Sequence, residues 1–173
     1  MALVAEELVE EWLNRKGYFT IRGVKLGVQE IDLLAVRVGP DQKVERRHIE
    51  VQASMRPVSY ITQVPKAEQR TGIAADSAKT RTDDSLRKGI QEWIAKKFDH
   101  PSKLELRAKL APGAWSRELV VNAVRHPREL DLIKEYGITV HLLADVIADS
   151  SAPKQIVGAA AGSHLLDLVA MAR

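Results

Sequence analysis

The chain has 173 residues, 45% of them hydrophobic and 28% charged, a balance that fits one soluble globular domain with a substantial core. It contains no cysteine, which excludes disulfides and Cys-ligated zinc or iron–sulfur sites. The net charge of +3 is uneven: residues 51–128 carry 15 Lys/Arg against 8 Asp/Glu, as a binder of phosphate polymers would, whereas both flanks are slightly acidic.

The N-terminus lacks a basic leader and turns acidic at Glu6 and Glu7, so it does not read as a signal peptide. Residues 3–16 predict an amphipathic helix with Leu3, Leu8, Val9, Trp12 and Leu13 on one stripe, closed by Gly17. Strands are expected over 18–22, 30–38 and 44–53, separated by turns at Gly23 to Gly27 and at Gly39-Pro40-Asp41. Residues 54–82 are broken by Pro57 and Pro65 and leave room for a short helix over 66–75. A helix over 83–98 follows, capped by Asp83 or Asp84, with Leu86, Ile90, Trp93, Ile94 and Phe98 as its apolar stripe.

Residues 101–116 read as loop with some strand. A β-branched strand over 118–124, a helix over 128–136 closed by Gly137, and a strand over 138–143 then imply a right-handed parallel crossover. The final helix is expected from about Ser163. The apolar run over 156–171 is interrupted by His164 and Asp167 and is too short to span a bilayer. The expectation is a single α/β domain over 1–173, a mixed sheet flanked by helices in the order α-β-β-β-α-β-α-β-α, cytoplasmic and without a membrane partner. No glycine-rich dinucleotide motif and no Walker loop is present.

Two of the predicted strands carry acid where a buried strand should carry valine: Glu30-Ile31-Asp32-Leu33-Leu34 and Ile49-Glu50-Val51-Gln52. Ionised carboxylates beside a core are costly unless paired or bound to metal. Asp32 and Glu50 on adjacent antiparallel strands supply hard oxygen ligands for Mg²⁺, with Mn²⁺ as a substitute, and the Val51 carbonyl adds a third. Gln52 reaches the same face by strand periodicity, and Glu6 adds a water-mediated contact from the first helix. The bland readings are an ion pair from Asp32 to Arg22 or Arg37, a solvent-facing Glu30, and a Glu6 favoured only by the helix dipole. His48 shares the strand face of Glu50; His141 reads as a hydrogen-bonded structural residue, and Trp12, Trp93 and Phe98 as core. No serine sits in a nucleophile elbow.

Taken together, Glu6-x-x-Val9-x-x-x-Leu13-x-x-x-Gly17-Tyr18, Glu30-Ile31-Asp32-Leu33-Leu34 and Ile49-Glu50-Val51-Gln52 resemble the PD-(D/E)XK nuclease superfamily, most closely its Mrr-type and Holliday-junction-resolvase-like small members. The resemblance covers about residues 5–54 and implies the restriction-endonuclease-like fold and metal-dependent hydrolysis of DNA. It assigns catalysis to Asp32, Glu50, Gln52 and Glu6, and metal binding to Asp32, Glu50 and the Val51 carbonyl. A homodimer is implied by resemblance alone, since many members dimerise to cut both strands. The chain departs from the pattern at Gln52, where the superfamily usually has lysine; glutamine can orient water but carries no charge. Arg70, Lys79, Arg81, Arg87 and Lys88 are the candidates for gripping DNA phosphates, with a solvated helix surface as the equal alternative. Two other readings stay open: a catalytically degenerate nucleic-acid-binding or assembly protein on the same fold, and an α/β protein whose acids are structural.

Overall fold

The computed structural model describes residues 2–54 and 56–150, together with Ile156, Val157, Leu168 and Met171. The fold is α/β: one five-stranded mixed sheet in the order β1-β2-β3-β4-β5, with helices on both faces. The first helix, α1 (Ala2–Arg15), buries Ala5, Leu8, Val9, Trp12 and Leu13, the stripe its 3.6-residue period dictates. Gly17, at φ +81°, ends the helix in the left-handed turn that glycine permits.

β1 (Phe19–Leu26), β2 (Gln29–Val38) and β3 (Val44–Gln52) form an antiparallel meander. Where the pattern predicts a turn from Gly23 to Gly27, β1 runs on and the turn is Gly27-Val28. Gly23 is nevertheless a break: at φ +66° it drops out of the ladder, which steps from Arg22–Leu33 to Val24–Ile31 and so skips Asp32.

After β3 come α2 (Lys66–Gln69), α3 (Asp83–Lys97) and α4 (Pro101–Leu110). β4 (Ser116–Val121) returns parallel to β3, and α5 (Arg128–Glu135) leads to β5 (Thr139–Leu142), parallel to β4. α6 (Leu143–Ser150) packs on α1. Strand alternation divides the core. Leu33, Ala35, Ile49, Val51 and Val120 join α1 and Val146, whereas Leu119 and Val121 join Ile90, Trp93, Phe98, Leu132 and Ile133.

Three helices rather than one thus separate the third and fourth strands. The stretch 101–116 holds a helix, α4, whose buried residues are Lys103 and Arg107, a polar face that an apolar-stripe reading passes over. Thr82, not Asp83 or Asp84, caps α3: its side chain accepts the Ser85 N–H, and the two aspartates occupy the first turn. The fourth strand ends at Val121, and Val124 makes only an isolated bridge to Val58. Directly after β5 the pattern predicts no helix, yet α6 begins at Leu143. The helix expected from Ser163 lies outside the described residues apart from Leu168 and Met171. Among the described residues no helix is long and apolar enough to cross a membrane.

Candidate functional site

β2 and β3 pair from Val38–Val44 to Leu33–Ile49 and then part. The next positions in register are Asp32 and Glu50, so both carboxylates stand in the fork where the ladder ends. Beyond that point Val51 N–H has no strand partner on β2, and Asp32 Oδ2 accepts it at 2.8 Å. In a strand a residue's N–H and C=O face the same neighbour, so the Val51 carbonyl faces the fork too.

Glu50 is 1% exposed, and three donors meet its carboxylate. Oε2 accepts from Lys97 Nζ at 2.6 Å; Oε1 accepts from His48 Nε2 at 3.1 Å and from Lys103 Nζ at 3.3 Å. The histidine tautomer follows from its other neighbour. Arg107 can only donate, and its 3.1 Å contact makes His48 Nδ1 an acceptor, leaving the ring proton on Nε2 for Glu50. Burial, reinforced by the Arg107 and Lys103 cations, pulls the His48 pKa down to about 3, so this imidazole is neutral. Lys103 also donates to Lys97 O at 2.8 Å and Arg107 to Phe98 O at 3.0 Å. The polar face of α4 therefore serves as a buried platform beneath Glu50.

Asp32 has no such set of cations. Burial, and then repulsion from Glu50, push its pKa up to about 6. Burial pulls the Lys97 ammonium down, but Glu50 and Asp32 together outweigh it and hold the group above the ordinary lysine range. The Glu6 carboxyl is raised by burial and then by Asp32 and Glu30, which places Glu6 within the field of the site. Arg22 pairs with Glu7 and Glu10 and Arg37 with Glu45, so the ion-pair reading of Asp32 does not hold. Glu30 is exposed opposite Lys25, as its bland reading has it.

The fork opens into a cleft of about 800 Å³ lined by Asp32, Glu50, Val51, Gln52 and, from α3, Trp93, Lys96 and Lys97, with a further wall from the segment of Ile61, Gln63 and Lys66, which packs on α3 through Gly89 and Glu92. Gln52 is committed to that wall: its Nε2 donates to Ile61 O at 3.2 Å. The wall is in turn pinned by Glu129 of α5, fully buried, which accepts from Ile61 N–H at 2.6 Å, Thr62 N–H at 3.0 Å and Thr62 Oγ1 at 2.6 Å.

None of the five basic residues singled out for phosphate contact lines this cleft. Arg81 lies 4.0 Å over the Tyr60 ring and donates to Thr62 O and Ser77 O. Arg87 pairs with Glu135 and Lys88 with Asp84, while Arg70 and Lys79 are exposed elsewhere. The cations at the cleft are Lys66, Lys96 and Lys97.

A further buried acid occupies the other face of the sheet. Glu118 accepts from Arg47 Nε and Nη2, from Ser116 Oγ at 2.6 Å and from His141 Nε2 at 2.8 Å. Burial alone would raise its pKa, but these bonds, Arg47 first, hold it at about 2. Arg47 is itself stacked on Trp12 and Tyr18. His141 is thus the structural residue its strand position suggests.

The donor set at the fork suits a hard divalent cation: two carboxylates, Asp32 raised by burial and then by Glu50, beside a carbonyl facing the same side. Among the described residues no group of three or more His, Asp or Glu side chains is close enough to hold a metal by itself. Mg²⁺ held through one or two carboxylates, with waters and substrate phosphate completing its shell, needs no such cage. No protein-family model matches the chain, and the search of curated proteins returns no significant match.

Proposed function

We propose that the chain is a Mg²⁺-dependent DNA endonuclease with a restriction-endonuclease-like arrangement, hydrolysing phosphodiester bonds at the β2–β3 fork. The observation that carries this reading is the convergence of Asp32, Glu50 and the Lys97 ammonium on the floor of one cleft. The motif resemblance over residues 5–54 agrees with it, as does the order of the first four elements. Asp32, Glu50 and the Val51 carbonyl would hold the metal, which when bound lowers the pKa of a water and offsets phosphate charge.

The remaining chemistry belongs to the chain. Lys97 supplies, from the end of α3, the positive charge that Gln52 lacks. Lys66 and Lys96 line the cleft and draw in backbone phosphates. His48, Lys103 and Arg107 hold Glu50 in place from beneath, and Gln52 fixes the cleft wall through Ile61. The orienting role first given to Gln52 passes to Lys97 in this reading.

A second reading, a catalytically degenerate DNA-binding protein, is favoured by one observation: Glu50 already has three donors and the Gln52 amide is engaged. The two separate on incubating plasmid and branched DNA with the protein in Mg²⁺, Mn²⁺ or EDTA, beside Asp32→Ala. The nuclease reading expects metal-dependent cutting that falls at least about 100-fold in the variant. A folded protein that binds DNA with steep salt dependence but never cuts it establishes the second reading instead.

A further inference from the structure

The two oxygens of Glu50 are held in different ways. Oε1 meets donors locked in the core: His48 is fully buried, and Lys103, 1% exposed, is also tied to the Lys97 carbonyl. Among the described residues the donor to Oε2 is Lys97, at 2.6 Å, on a side chain that is 30% exposed, lines the cleft and hangs from the last residue of α3. That ammonium also feels Asp32 across the fork. It is therefore seated on one of the two carboxylates that would bind a divalent cation and shares a cleft with the other, and two cations cannot crowd onto Glu50 Oε2 without strong repulsion.

We propose that Lys97 is a built-in counter-ion, seated on Glu50 Oε2 where a divalent cation would bind, and that loading the cation displaces its ammonium into the cleft. The inference rests on the metal-binding reading of Asp32 and Glu50. It explains how a carboxylate pair with one member buried is tolerated before metal arrives. It also delivers a cation on a flexible four-carbon stem to the phosphate only when the metal is in place. The arrangement separates two roles that an ordinary ion pair would join. Removing a structural ion pair weakens both metal binding and turnover, whereas removing a competitor strengthens the first and weakens the second.

The test is calorimetric titration of Mn²⁺ into the full chain without nucleic acid, for wild type, Lys97→Met, Lys97→Arg and Asp32→Ala, with plasmid cleavage in parallel. Lys97→Met, which keeps the stem and loses the charge, binds Mn²⁺ about tenfold more tightly. At saturating Mn²⁺ it cuts at least about 100-fold more slowly. Lys97→Arg binds Mn²⁺ as the wild type does. Lys97→Gln gives the same neutral replacement should the methionine variant fail to fold. Unchanged or weaker Mn²⁺ binding in a folded neutral variant overturns the counter-ion role, provided that Asp32→Ala still abolishes binding. Equal binding by wild type and Asp32→Ala overturns the metal site itself and the inference with it. If wild type binds no Mn²⁺ and Lys97→Met does, the proposal holds in its strongest form; if neither binds, both fail.

Discussion

Glu118 and Glu50 lie on adjacent parallel strands, both nearly buried and both hydrogen-bonded to a histidine on the sheet, yet they end in opposite states. Glu118 faces α1, and a two-pronged guanidinium plus two further donors close around it. Glu50 faces α3 and α4, shares its surroundings with Asp32, and opens on a cleft. In the first network the charges balance and nothing is left to bind. In the second, one carboxylate is satisfied at the expense of the other, and the unmet demand for positive charge falls on Asp32. A buried acid by itself says little about function; a second acid that shares its cations says more.

The contrast is most exposed to removal of the closed network. Glu118→Ala leaves Arg47 without its carboxylate partner and should cost about 3–5 kcal/mol in urea unfolding. Its Mn²⁺ binding per folded molecule should not change. A parallel loss of metal binding would mean that the two networks communicate through the sheet.

The pH dependence separates them next, measured in EDTA. The folded-state pKa of Asp32 lies near 6 against an ordinary 3.8, so the folded protein takes up this proton first as pH falls. Its contribution to stability therefore rises as pH drops from 7 to 4, and at pH 7 its charged form costs about 3 kcal/mol. Asp32→Asn should be more stable than wild type at neutral pH by up to that amount and should lose this dependence. Glu118 has the opposite sign: its contribution is complete above pH 4.5 and disappears as pH falls toward 2.

The smallest effect concerns the cleft's cations. Lys66→Ala and Lys96→Ala should each reduce the slope of log K against log salt for DNA binding by about 1. Arg87→Ala and Lys88→Ala, whose charges are already paired with Glu135 and Asp84, should leave the slope unchanged. The reverse result would move the DNA path from the cleft to the outer face of α3.

The acids of the site are legible in the chain because strand alternation is local: Asp32, Glu50 and Gln52 need only a period of two to share a face. The cations are not. Lys97 is 47 residues from Glu50, Lys103 is 53, and both come from helices beyond the segment broken by Pro57 and Pro65. The only local sign of Lys97 is basic character in the last turn of a helix, which the helix dipole accounts for equally well. α4 is harder still. A helix is recognised by the apolar stripe it buries, and α4 buries a lysine and an arginine, so the feature that makes it useful to Glu50 hides it in the sequence. The three-stranded meander and the β4-α5-β5 unit, whose buried residues are apolar, are read with errors of a few residues at their ends.

Glu129 extends the reach of the cleft to a distant part of the chain. Ile61 and Thr62, 68 and 67 residues before it, give their amide protons to its carboxylate, so the stretch that would otherwise be a free surface loop is tethered to the helix between the last two strands. Local opening of that wall requires α5 to undock and a buried carboxylate to lose three hydrogen bonds together. The wall is thus tied to the C-terminal half of the sheet, and the amide protons of Ile61 and Thr62 are expected to exchange with solvent at the pace of the core.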